Sequence, residues 1–369
     1  MKSIAITGAN GFVGKNLVQN LRQFSYAIYE ITRSTPIAER DAYLKHADFI
    51  VYLAAANRPK EESDFKRTNV DLLTEMLNVV RENTKNPTIL LSSSIQAEAE
   101  NAYGKSKKQA EDVLKAFSAA NGNLIYIYRF PNLFGKWCRP DYNSVIATFC
   151  HHIARGEAIQ INDKNALLTL NYIDDVVFEI IRAIKGQPTI ETGMPKVPNE
   201  YLATLGEITE LLETFHNFRE TKALPKLDEP FEKALYSTYL SYLPQDGLRY
   251  PLQMNTDERG SFTEFLKTPD RGQVSVNVSK PGITKGNHWH NTKNEKFLVV
   301  SGKGVIRFRR PDKEEVTEYH VSGAKLEVVD IPVGYTHHIE NIGDTDMVTI
   351  MWVNEIFDPE NPDTFYLEV

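Results

Sequence analysis

The stretch Lys2-Ser-Ile-Ala-Ile-Thr-Gly8-Ala-Asn10-Gly11-Phe12-Val13-Gly14 decides how the first part of the chain folds. Residues 2–7 read as a short buried strand. The glycines at 8, 11 and 14 follow at once, and Lys15 to Phe24 then carries apolar residues at Leu17, Val18 and Leu21, a helical spacing. A strand, a glycine turn and a helix open a doubly wound α/β fold built on a parallel sheet. Gly8 permits the tight turn, Gly11 lets backbone N–H groups approach a pyrophosphate, and Gly14 lets the helix pack against the strand with its N-terminus towards the anion. Asn10, Phe12 and Val13 lie in the same turn and are candidate cofactor contacts.

Moving outward, a second strand over Ala27 to Thr32 ends in Arg33. An NAD site puts an acidic residue there for the ribose 2′-hydroxyl. Arg33 suits a 2′-phosphate and points to NADPH. Residues 47–57 read as a buried strand running into small residues, with Leu53 and Ala54 placed to let the cofactor cross the strand end. A further strand over Thr88 to Leu91 ends in Ser92-Ser93-Ser94, and Tyr103-Gly-Lys-Ser-Lys107 follows. Tyr103 and Lys107, four apart, share a helix face. An ammonium beside the phenol is expected to lower its pKa, which makes Tyr103 a general acid for a carbonyl under reduction. A serine from the strand end, Ser94 or Ser93, holds the same oxygen.

The remaining composition bounds the answer. The chain has 369 residues, enough for two domains, with 41% hydrophobic and 25% charged residues and a net charge of −7. That balance argues against a general nucleic-acid binder. No run approaches the roughly 18 apolar residues of a membrane span. The N-terminus lacks the pattern of a signal peptide. The two cysteines, Cys138 and Cys150, are too few for a disulfide framework, so a cytoplasmic location is expected.

Five of the nine histidines crowd between His288 and His338. From Tyr250 onward, two-residue alternation replaces helical spacing, at 273–279, 296–300, 304–308, 325–329 and 348–353, and predicts an antiparallel sandwich or barrel. The turn-rich stretch from Pro244 to Pro251 marks the seam, giving domains 1–243 and 253–369 with a linker over 244–252. His288 and His290 project to one face of a strand. Glu295 joins them from the next strand, and His337 follows the turn Pro332-Val-Gly334. These four suit a His₃Glu or His₂Glu site for zinc or another divalent ion. His320 and His338 lack the spacing and receive no role.

Together, the glycine turn, the serines, YxxxK, Tyr128-Arg-Phe-Pro-Asn132-Leu-Phe-Gly135 and Asn171-Tyr-Ile-Asp-Asp175 make residues 1 to about 240 resemble the extended short-chain dehydrogenase/reductases, Rossmann-fold enzymes of nucleotide sugars. The resemblance implies catalytic Ser94, with Ser93 as the alternative register, Tyr103 and Lys107, and substrate contacts at Asn132 and within Arg139 to Ser144. Trp137 and Tyr142 are either cleft walls or core. The stretch before Tyr103 is shorter than in that family.

The histidine motifs match the cupin (jelly-roll) pattern, though the second lacks the family's glycine ahead of its proline. Asp257-Glu-Arg259-Gly-Ser-Phe-Thr-Glu264 and Lys285-Gly-Asn-His288 resemble the deoxysugar 3,5-epimerases, in which a histidine is the base beside a ketone. His288 is therefore either base or ligand, and Lys285 a candidate to stabilise an enolate. Across its whole length the chain resembles the bifunctional capsular-polysaccharide enzymes of the UDP-N-acetyl-L-fucosamine pathway. This implies C3 epimerisation of a UDP-2-acetamido-2,6-dideoxy-L-hexos-4-ulose, reduction of its C4 ketone with NADPH to the L-talose derivative, and a homodimer formed through the cupin. Two rival readings are a reductase whose cupin only binds or dimerises, and a single-activity enzyme with bound NAD⁺, against which Arg33 argues.

Overall fold

The computed structural model describes residues 1–59 and 61–369. Backbone contacts divide the chain into two compact units, Met1–Glu213 with Pro230–Pro244, and Thr214–Glu229 with Gln245–Val369. Residues 214–229 thus go with the second unit although they precede the turn-rich seam.

The first unit begins as β1 (Ser3–Thr7), α1 (Phe12–Leu21), β2 (Ala27–Ile31), α2 (Ile37–His46) and β3 (Phe49–Tyr52). The short α3 (Ser63–Lys66) runs through a π-helical turn (Arg67–Asp71) into α4 (Leu72–Val80), followed by β4 (Thr88–Ser94), α5 (Ala102–Asn121) and β5 (Ile125–Phe130). The five strands form one parallel sheet in the order β2-β1-β3-β4-β5. Successive side chains of a strand point to opposite faces, and here both faces are covered. Ile4, Ile6, Phe49, Val51 and Leu90 pack with Leu17, Leu21, Val176 and Ile180. On the other side, Ala5, Ile50, Tyr52, Ile89 and Leu91 pack with Leu73, Leu77, Leu114 and Phe117. This two-sided burial explains why the strands read as unbroken apolar runs.

The chain continues through β6 (Asn132–Phe134), α6 (Val145–Ile153), β7 (Leu167–Tyr172), α7 (Ile173–Ile184), the two-residue strands β8 (Ile190–Glu191) and β9 (Met194–Pro195), β10 (Tyr201–Thr204), α8 (Leu205–Thr221) and α9 (Pro230–Leu240). β10-β7-β6 make a small mixed sheet. Among the described residues, no helix is long and apolar enough to cross a membrane, and Cys138 and Cys150 are free thiols.

The second unit is an antiparallel β structure. Its strands are β11 (Met254–Asp257), β12 (Gly260–Thr268), β13 (Gly272–Ser279), β14 (Thr284–Trp289), β15 (Glu295–Ser301), β16 (Lys303–Arg309), β17 (Thr317–Ser322), β18 (Val328–Ile331), β19 (Thr336–Asn341), β20 (Met347–Val353) and β21 (Phe365–Tyr366). They form a six-stranded sheet, β11-β12-β13-β20-β15-β18, and a five-stranded sheet, β17-β16-β19-β14-β21. Phe297, Val299 and Ile331 from the first sheet pack with Ile306, Phe308 and Ile339 from the second. The strand expected over 325–329 is displaced: β17 ends at Ser322, a turn over 323–325 is closed by the Ser322–Lys325 bridge, and β18 starts at Val328.

Candidate functional site

In the first unit, a cleft of about 1070 Å³ opens where β1, β3, β4 and β5 end, lined by Gly8, Leu53, Ser92 to Ser94 and Phe130 among others. Ligands of open α/β sheets sit at these carboxyl ends. Gly8 has φ +67°, and a Cβ there would stand 3.1 Å from the Ala54 nitrogen. A Cβ on Gly14 would lie 2.3 Å from the Gly8 carbonyl oxygen. Both positions require glycine, for conformation and for room. Gly11 starts α1 without a side-chain cap and with no acidic residue in the first turn, so the N–H groups at the helix start are open to an anion. Asn10, Gly11, Phe12, Val13 and Gly14 all line the cleft, and this donor set fits a dinucleotide pyrophosphate.

Two expected cofactor contacts stand apart. Ala54 lies behind the turn, its N–H donating to Thr7 Oγ1 at 3.1 Å beside that of Leu53 at 3.0 Å, and it does not line the cleft. Arg33 is exposed beyond the end of β2, the edge strand, and is also outside the lining.

Asn101 caps α5, its side chain accepting from the Gly104 N–H at 2.7 Å, which places Tyr103 in the first helical turn. Ser94, Tyr103 and Lys107 meet in the cleft. The register of the serines is decided by strand faces. Ser94 lines the cleft with Tyr103 and eases the upward shift of its phenol, whereas the Ser93 hydroxyl donates to buried Glu111 at 2.6 Å. Glu111 in turn takes two bonds from Arg129, each 2.8 Å.

The expected lowering of the Tyr103 pKa is not found. Burial raises it, and the neighbouring Ser94 hydroxyl offsets this only partly. Lys107 is itself buried and donates to the Ser92 carbonyl at 2.8 Å. Desolvation lowers its pKa to about 8, against the attraction of Glu111. Phe65 packs against the Tyr103 ring at 5.8 Å between centroids, a contact with no signal in the sequence.

Asn132 and Arg139 line the cleft, with the Arg139 guanidinium over the Tyr142 ring at 5.5 Å. Trp137 and Tyr142 are 48% and 41% exposed, so they are wall residues and not core.

In the second unit, a cavity of about 810 Å³ contains His288, His290, Glu295 and His337. Their ligand atoms all lie within 4.8 Å of one another. β14 and β19 pair directly, with a bulge between Gly286 and His288, and the His288 ring lies 4.9 Å from that of His290 and 4.7 Å from that of His337.

Whether a cation fits is decided by the outer nitrogens. His290 Nδ1 faces the Asp363 carbonyl at 2.5 Å and His337 Nδ1 faces the Tyr335 carbonyl at 3.2 Å. Carbonyls only accept, so both Nδ1 atoms carry hydrogen, and the neutral tautomer this selects in each ring turns its Nε2 lone pair inward. These approach Glu295 Oε2 at 3.8 Å and 2.8 Å. All three atoms are buried and none has a hydrogen-bond partner. Such converging acceptors fit a divalent ion. Burial lowers the His288 pKa to about 4, with His337 adding to the effect.

Lys285 lines the cavity, but its ammonium is turned onto the wall, donating to Asn277 Oδ1 and the Val278 carbonyl at 2.9 Å each. His338 points elsewhere, to Asn287 Oδ1 at 2.9 Å, and His320 pairs with Glu318.

Gln273, Ser275 and Asn277 also line the cavity and were not anticipated. They are buried while Val274, Val276 and Val278 on the same strand are only half-buried. A strand that turns its polar alternation inward is the signal that marks a polar cavity in advance.

Residues 4–193 match the NAD dependent epimerase/dehydratase family. Residues 255–365 match the polysaccharide biosynthesis C-terminal domain. A Pseudomonas aeruginosa relative, UDP-2-acetamido-2,6-beta-L-arabino-hexul-4-ose reductase, is 42% identical over 367 residues, covering 99% of this chain and 98% of its own. The chain belongs to the NAD dependent epimerase/dehydratase family. It is also similar to the capsular polysaccharide assembling protein CapF of Staphylococcus aureus, with 64% identity, a TM-score of 0.95, and 99% and 100% of the two chains covered. The UDP-glucose 4-epimerase of Thermotoga maritima shares the fold, at 18% identity and a TM-score of 0.56 over 67% of this chain and 100% of the other.

Proposed function

We propose that this chain is a two-step nucleotide-sugar enzyme of surface-polysaccharide synthesis, epimerising C3 of a UDP-2-acetamido-2,6-dideoxy-L-hexos-4-ulose and reducing its C4 ketone. The observation that carries the reading is that one chain holds two chemically distinct cavities. One has the glycine turn with Ser94, Tyr103 and Lys107, the other the His/Glu cluster. The P. aeruginosa relative reduces a hexul-4-ose of this class. The reduction is assigned to residues 1–243 and the epimerisation to a cupin over 253–369.

For the reduction, Tyr103 delivers a proton to the C4 oxygen, Ser94 holds that oxygen, and Lys107 stabilises the developing phenolate. NADPH, when bound on the glycine turn, supplies the hydride. Arg33 recognises its 2′-phosphate by rotating from its exposed position. Asn132 and Arg139 hold the UDP-sugar, with Arg139 facing the diphosphate.

For the epimerisation, a C4 ketone acidifies the C3–H, the neutral imidazole of His288 takes that proton, and a solvent proton delivered to C3 of the enolate from the opposite face completes the inversion. His290, Glu295 and His337 would hold a divalent ion, zinc by donor type, which when bound draws charge from the ketone oxygen. Lys285 contributes positive charge to the wall that faces the enolate, and needs to release one of its wall bonds to touch it.

Two variants test this with the ketosugar in deuterated water. Tyr103→Phe should stop NADPH oxidation while deuterium still enters C3. His288→Ala should stop deuterium entry. Deuterium incorporation that survives His288→Ala, or that disappears together with reduction in Tyr103→Phe, would refute the division of labour.

A further inference from the structure

The C-terminal tail closes on the turn that carries His290. β21 pairs with β14, setting Tyr366 opposite His288 and Phe365 opposite Trp289. The Phe365 ring stacks on Trp289 at 4.8 Å. Leu367 donates its N–H to the Asn287 carbonyl at 3.0 Å, and its own carbonyl accepts from the Thr336 hydroxyl, one residue before His337. The tail therefore touches both strands that present the histidines.

At its start stands Asp363, in left-handed backbone with φ 42°, a conformation that Asp tolerates better than most residues. Its carboxylate accepts from three successive backbone N–H groups, those of Asn291 at 3.1 Å, Thr292 at 2.9 Å and Lys293 at 3.3 Å, and from the Thr292 hydroxyl at 3.0 Å. Lys293, nearly buried, donates to the neighbouring Pro362 carbonyl. The Asp363 carbonyl meanwhile accepts from His290 Nδ1 at 2.5 Å. One residue thus anchors the turn with its side chain and orients the imbedded imidazole with its main chain.

We infer that Asp363 is a positioning residue for the cation site. Its carboxylate pins the tail to residues 291–293, and this fixes the carbonyl that keeps His290 in the tautomer whose Nε2 faces Glu295. The inference rests on reading His290, Glu295 and His337 as a cation site. Partners of this kind, one step removed from the ion, are worth about 10- to 100-fold in metal affinity. The link spans 73 residues of sequence.

The test uses the full chain with zinc as the probe. Zinc affinity is measured by competition with a chromogenic chelator for wild type, Asp363→Ala and Asp363→Asn. Asp363→Ala should bind about 10- to 100-fold more weakly. Asp363→Asn, whose side-chain oxygen still accepts from the turn, should fall between the two. In zinc-loaded wild type, proton NMR should find the His290 Nδ1–H protected from exchange with water, and that protection should drop in both variants. Wild-type affinity in Asp363→Ala with native circular dichroism, or an unprotected Nδ1–H in zinc-loaded wild type, overturns the inference. If Asp363→Ala does not fold, the affinity of Asp363→Asn and the exchange measurement decide it. A wild type that binds no zinc removes the cation site itself and this inference with it. Zinc-bound wild type with unaffected variants removes only the role of Asp363.

Discussion

Replacing Lys107 by methionine should abolish reduction and yet change stability in a way that depends on pH with a defined sign. The ammonium is buried, and its pKa falls from the ordinary 10.5 to about 8, chiefly through desolvation. One pKa unit is about 1.4 kcal/mol, so holding the charge below pH 8 costs the fold about 3 kcal/mol. That cost is net of the bond to the Ser92 carbonyl, 2.8 Å long, so at pH 7 the uncharged methionine should leave the fold at least as stable as wild type. The pH dependence is the cleaner quantity. Below pH 8 both folded and unfolded Lys107 are protonated, and the difference between wild type and variant is flat. Between 8 and 10.5 the unfolded chain binds the extra proton, so wild-type stability rises with pH relative to the variant. At pH 9.5 the gain should be about 2 kcal/mol. Hydrogen exchange of α5 peptides in increasing urea, without cofactor, reads this unit alone. A gap that stays constant from pH 7 to 9.5 would refute the reasoning, because it would mean that Lys107 keeps its ordinary pKa in the fold.

Other outcomes follow from the same geometry. Gly14→Ala places a Cβ 2.3 Å from the Gly8 carbonyl oxygen, so NADPH affinity by fluorescence titration should fall about tenfold or more. Ser94→Ala should lower kcat for reduction by about 100-fold. Ser93→Ala should leave kcat nearly intact but lose about 1.5–3 kcal/mol of stability in urea unfolding, since it strips a bond from buried Glu111. Arg33→Asp should move the ratio of kcat/KM for NADPH over NADH down by about tenfold or more. An unchanged ratio would count against the 2′-phosphate reading. Glu295→Gln should lower the divalent metal found by elemental analysis from about one per chain to well below it.

Much of the architecture was legible because it is written in local pattern. Glycine spacing at 8, 11 and 14 needs only the neighbouring strand and helix to acquire meaning. The apolar runs of β1, β3 and β4 announce a sheet covered on both faces. Alternation after Tyr250 announces antiparallel strands, although β11, β12, β17, β19 and β21 lie outside the alternating runs and β18 starts later than expected, past the turn at Gly323. The histidines at 288, 290 and 337 and Glu295 stood out by spacing, and the fold brings their ligand atoms within 4.8 Å. Less local features were illegible. Ala54 and Arg33 occupy the expected positions in the chain, yet neither lines the cleft, because one is tied under the turn and the other follows an edge strand. The lowered phenol pKa expected for Tyr103 reversed sign, since helix spacing sets the neighbour and says nothing about burial.

The sequence by itself determined the opening strand, glycine turn and helix, the change to antiparallel strands after Tyr250, and which residue types are available for proton transfer and for holding a cation. These follow from short-range sterics and from periodicity, which a chain carries in any environment. Only the tertiary structure decided which of two adjacent serines faces Tyr103, that Lys107 is stripped of water, that β13 turns Gln273, Ser275 and Asn277 inward, and that Asp363 reaches His290 across 73 residues. The physical reason is the same in each case. Side-chain direction, desolvation and long-range hydrogen bonds depend on which surfaces the whole unit buries against one another, and that is a property of the packed fold and not of any segment.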